Sequence, residues 1–106
     1  MRVDLHPDAR GEVRAAALWY DEHRPGWGDR FIERVNDVLQ RLEQVPATYP
    51  VWPGTDAAAV LIRKALLEQF PYVIAFEVHP ERVLVLAVAH ARRQPLYWIA
   101  RTSGPA

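Results

Sequence analysis

With 106 residues, half of them hydrophobic and a quarter charged, the chain is sized for one domain (residues 1–106) with a single core. No run approaches the roughly 20 apolar residues of a membrane helix and Met1-Arg2-Val3-Asp4 does not open a signal peptide, so a cytoplasmic protein is expected; the absence of cysteine removes disulfide frameworks and thiolate metal sites. Charge cancels overall, unlike a protein that grips nucleic acid mainly through phosphates, but residues 1–59 carry seven Arg against ten acids and residues 60–106 six Lys/Arg against three Glu, which directs any anionic partner to the second half.

Arg2 to Leu5 reads as a short strand stopped by His6-Pro7, where Pro7 suits the first turn of a helix and Asp8 its positive end. In the helix that follows, Ala9, Val13, Ala16, Ala17 and Tyr20 share one face, while Asp8, Glu12, Asp21 and Glu22 fall largely elsewhere. Pro25-Gly26-Trp27-Gly28 breaks it. A second helix carries Phe31, Val35, Val38, Leu42 and Val45 until Pro46, and so short a turn between the two makes a helical hairpin. Residues 46–56, with three prolines and a glycine, read as a loop. Three apolar runs follow, Ala59–Leu67, Tyr72–Val78 and Val83–His90, separated by turn-sized gaps, which predicts an antiparallel meander. The fold class expected is α+β: a short N-terminal strand, a helical hairpin and a three-stranded antiparallel meander, with the helices on one face of the sheet.

The last run is apolar at both parities, so both sheet faces need cover there. Two helices supply one cover. For the other face, either loop 46–56 and the C-terminal tail fold over it, or it stays open as an apolar patch that takes a partner and makes the isolated chain self-associate.

Ala9, Trp19-Tyr20, Gly28, Phe31, Pro46, Tyr49-Pro50 and Ile62-Arg63-Lys64 form an ordered pattern. It continues through Phe70-Pro71-Tyr72-Val73-Ile74 and Ala87-Val88-Ala89-His90-Ala91-Arg92-Arg93 to Pro95, Tyr97 and Trp98. Over nearly its whole length the chain resembles the RelE/ParE superfamily, the toxin halves of bacterial type II toxin–antitoxin pairs. The resemblance implies a helical hairpin on a mainly antiparallel sheet, an antitoxin wrapped around the toxin in a hetero-oligomer, and no metal or cofactor. Val83, Leu84, Val85 and Leu86 are then the expected antitoxin-binding residues.

The superfamily splits by target. RelE-like members resemble ribosome-dependent endoribonucleases that cut messenger RNA without metal, whereas ParE-like members poison DNA gyrase by binding. Attack of a ribose 2′-hydroxyl on its phosphate needs a proton acceptor, a donor to the leaving oxygen and cations for the extra charge. On that branch Lys64, His90, Arg93 and Tyr97 would be catalytic. Lys64 and Arg93 match the ribonuclease pattern, but Leu66 and Val73 stand where it has a second lysine and an arginine. Phe70-Pro71-Tyr72 and the overall neutrality resemble the ParE-like side, so a gyrase poison is expected, with His90, Arg92, Arg93 and Tyr97 as target-binding residues; the ribonuclease and a non-toxic partner-binding relic of the family are the alternatives. Simple turns put Arg63 near Phe76 and Val85 and leave His90 about 16 Å further along the sheet. Each residue also has a plain structural use: His90 as a capping histidine, Arg92 and Arg93 as a solvated end, and Tyr97, Trp98, Trp19 and Tyr20 as packing aromatics. His6 and His79 carry no functional signal.

Overall fold

Local chemistry sets the elements in the computed structural model, which describes residues 1–56 and 58–103. Residues 57 and 104–106, included in the single-domain reading, lie outside the described residues. Strand β1 (Arg2–Leu5) runs into helix α1 (Pro7–His23), whose start combines Pro7 in the first turn with a cap from His6, where Nδ1 accepts the Asp8 N–H at 3.1 Å. Gly26, in the left-handed region at φ 89°, turns the chain into helix α2 (Trp27–Gln44). A single 3-10 turn (Pro46–Thr48) opens the proline-rich loop. Strands β2 (Ile62–Leu66), β3 (Tyr72–Val78) and β4 (Arg82–His90) form the meander, and a last 3-10 turn (Ile99–Arg101) lies beyond it.

The sheet order is β1-β4-β3-β2, with β1 parallel to β4 and the other pairs antiparallel. Arg63 stands opposite Phe76 and Phe76 opposite Val85, as simple turns predict. Strand β2 begins three residues later than its apolar run. Its first rung is Ile62 opposite Glu77, and β3 ends one residue beyond at Val78, so residues 59 and 60 have no β3 residue to pair with. The outer edge of β2 is instead held by the proline-rich loop, through Trp52 N–H to the Ile62 carbonyl and Lys64 N–H to the Pro50 carbonyl.

Strand β4 carries a bulge. Val85 pairs with Phe76 and Ala87 with Ala75, leaving Leu86 as an extra residue. Val83, Val85 and Val88 therefore face the helices, in one cluster with Ala9, Ala17, Phe31, Val35 and Leu42. Leu86, Ala87 and Ala89 face the other way, in a second cluster with Ile62, Ala75 and Trp98. The half-exchange of parity explains a strand apolar at both alternations.

Both faces are covered, the second by Trp52 from the loop and by Leu96, Tyr97 and Trp98 from the tail. Trp98 is buried edge-on against Trp52, centroids 5.0 Å apart. Val83, Val85 and Leu86 are fully buried core residues and Leu84 is half-buried against the second cluster, so of the two alternatives for this strand the open apolar patch is the one corrected. The expected packing role of Trp19 is corrected as well. Tyr20 packs into the core beside Phe31 and Phe70, but Trp19 points outward and is 52% exposed.

Candidate functional site

The end of β4 and the tail after it gather most of the expected site residues at one corner. His90 is the last residue of β4, opposite Tyr72, and the two rings meet edge-on at 5.2 Å. His90 Nδ1 accepts the Arg92 N–H at 3.1 Å, so the neutral ring carries its proton on Nε2. The same histidine closes the turn through its carbonyl, which accepts the Arg93 N–H at 3.0 Å. Arg92 and Arg93 are exposed. Leu96, in the left-handed region at φ 61°, bends the chain back so that Tyr97 and Trp98 reach the sheet.

Tyr97 then lies under two guanidinium groups, Arg93 at 3.9 Å and Arg101 at 5.2 Å from the ring centroid. Its hydroxyl donates to Glu12 of α1. Burial pushes the phenol pKa well above its ordinary value, and the hydrogen bond and charge of Glu12 push it further, against the pull of Arg93 and Arg101. Tyr97 is therefore neutral across the physiological range, with its proton committed to Glu12.

Glu12 is the centre of this corner. Because β1 ends at Leu5 opposite Val85, the outer edge of β4 has no strand beyond that point. Side chains complete it: Glu12 Oε1 accepts the Val88 N–H at 3.0 Å, and Arg101 donates to the Leu86 carbonyl at 3.0 Å. Arg101 also donates to Glu12 at 3.0 Å, while Arg93 lies 3.8 Å from the same carboxylate. Neither Glu12 nor Arg101 stands out in the sequence, since only the fold joins α1 to the tail.

Lys64 does not join them. It pairs with Ala75, which pairs with Ala87, so it sits two strands away and three residues short of His90. Cross-strand partners share a face, and Ala75 and Ala87 belong to the second cluster, which puts Lys64 on the face opposite His90 and Tyr72. Among the described residues no group of His, Asp and Glu is placed to hold a metal, and no helix is long and apolar enough to cross a membrane.

A second polar cluster ties the tail down on the far side. Fully buried Glu77 accepts the Ser103 N–H at 2.7 Å and the Ser103 hydroxyl, and its other neighbour is His79 Nε2 at 2.7 Å. His79 thus has a structural use that its sequence context does not disclose.

The chain matches, over residues 3–95, the family model described as ParE toxin of type II toxin-antitoxin system, parDE. No curated protein matches it. Among solved structures it is similar to a chain of the chromosomal ParDE TA system from P. aeruginosa, at 17% identity and a TM-score of 0.73, over 87% of this chain and 97% of that one. The strand, helical hairpin and meander are common to both, and the family match ends before Tyr97, Trp98 and Arg101. With its fold and nearly all of its length accounted for, the chain belongs to the family of ParE toxins of type II toxin–antitoxin systems.

Proposed function

We propose that this ParE toxin acts by binding, with DNA gyrase as its target, in the cytoplasm, and that a cognate antitoxin neutralises it. The observation that carries the reading is the state of the His90 corner. Its phenol is neutral and donates to Glu12, its carboxylate is occupied by Arg101, Tyr97 and the Val88 N–H, and Lys64 stands on the opposite face. An RNA-cleaving site needs a free proton acceptor and convergent cations, and here the carboxylate and His90 Nδ1 are engaged and the lysine lies elsewhere. The corner supports contact instead: Arg92 and Arg93 project from a rigid sheet end, and His90 Nε2 is free to donate.

The test is a supercoiling assay with purified gyrase beside a message-cleavage assay on translating ribosomes. Arg93, 57% exposed, should lose inhibition by about tenfold on Arg93→Ala, with antitoxin binding and the thermal midpoint nearly unchanged. His90→Ala should lower inhibition by only a modest factor. Message cleavage that disappears in a folded His90→Ala variant would replace this reading with the ribonuclease one.

A further inference from the structure

The fully buried side chains of helix α1 are all small, Ala9, Ala16 and Ala17, and the helix turns two large apolar ones outward, Leu18 at 60% exposure and Trp19 at 52%. Trp19 is fixed in place. Its ring stacks on His23 with centroids 3.9 Å apart, it meets Tyr20 edge-on at 5.1 Å, and His23 Nδ1 donates to the Trp19 carbonyl at 2.8 Å. A large aromatic held in one orientation loses little side-chain freedom on binding, which favours it as an anchor. Between this indole and the end of β4 runs an open groove of about 270 Å³, floored by Ala15, Ala16 and Val88 and walled by Tyr72, His90 and Arg93.

The groove is apolar along α1 and cationic at the other lip. Glu12 lines it too, but its charge is taken up by Arg101 and by the Tyr97 and Val88 hydrogen bonds, and the Arg93 contact at 3.8 Å is the loosest of the set. Arg14 and Glu22, one helical turn to either side of Leu18, offset each other. Arg92 and Arg93 therefore set the sign of the lip. We propose that this groove docks a protein segment of the target carrying an apolar side chain flanked by carboxylates, the apolar group against Trp19 and the carboxylates against Arg92 and Arg93. The proposal rests on the reading of the chain as a binding toxin and names what the target presents.

A nucleic acid is the poorer fit. Tracking a phosphate backbone takes a row of cations, and here two arginines stand together with Lys64 on the other face. Base stacking on Trp19 would compete with His23, which already occupies one face of the indole. An apolar knob beside paired carboxylates matches both lips at once.

The experiment titrates the full chain with three probes: an acidic peptide with a central phenylalanine, the same peptide with serine there, and an oligothymidylate of equal charge. The readout is the nuclear magnetic resonance of the Trp19 indole N–H and the His90 ring. The phenylalanine peptide should shift both resonances, and the serine peptide should bind at least about tenfold more weakly. Trp19→Ala should remove the difference between the peptides, with Leu18→Ser as the second variant should the first perturb α1. Tighter binding of the oligothymidylate at this corner, or peptide shifts confined to other residues, would overturn the proposal. Gyrase inhibition that survives Trp19→Ala would also remove the groove while leaving gyrase as target, whereas peptide docking without gyrase inhibition would keep the groove and remove gyrase.

Discussion

Glu12, with its side chain 14% exposed, serves donors from two other segments: the Val88 N–H on β4, and the Tyr97 hydroxyl and Arg101 guanidinium on the tail. Replacing it by alanine leaves a largely buried guanidinium and a strand N–H without partners. The expected loss is about 3 kcal/mol, read as a lowered urea midpoint. Glu12→Gln should recover part of it, since an amide oxygen still accepts the Val88 N–H. The tyrosines give a pH signature. Burial raises the pKa of Tyr97, Tyr72 and Tyr20 in the folded chain, so above the unfolded value of about 10 the unfolded state gives up protons that the folded state keeps. Stability should be flat below that pH and fall above it, and Tyr97→Phe should make the fall shallower in urea titrations between about pH 8 and pH 11. His90, Arg92, Arg93 and Tyr97 are legible in the sequence because they lie within one short stretch at a strand end. Glu12 and Arg101 are not, being 89 residues apart and joined only by the folded chain.

Between the two helices, Gly28 allows a close approach. A Cβ there would lie 2.5 Å from the Ala17 carbonyl oxygen and 2.6 Å from Asp21 Cγ, while its own N–H donates to Asp21 Oδ1 at 2.7 Å. Gly28→Ala must push α1 from α2 and should cost about 2 kcal/mol, seen as a melting midpoint lower by roughly 10 °C. Periodicity made the helices and the order of strands readable, since each element has one dominant buried face. It overran the start of β2 because an apolar run shows the wish to be buried and not the presence of a partner strand. It also missed the bulge at Leu86. Two adjacent residues on one face look, in a sequence, the same as a strand buried on both sides.

Across the whole molecule, the tail decides what the sheet presents. The self-association expected from an open second face loses its motive once Trp52 and Trp98 cover it. What stays exposed is local, chiefly Leu18, Trp19 and Leu66. Ending the chain after Pro95 would remove Trp98 from the second cluster and Tyr97 and Arg101 from Glu12. Such a truncated chain should bind an apolar dye strongly and melt without a sharp transition, whereas the full chain should do neither.

That dependence has a consequence in time. A ribosome delivers the chain from its N-terminus, so the four strands and both helices leave it before residues 96–103 do. Until that last stretch is free, β4 has one bare apolar face and an unfilled edge at Leu86 and Val88, and neither Tyr97 nor Arg101 has reached Glu12. The basic corner is thus completed after the elements it closes over. Between the two events the chain is sticky and its corner is incomplete.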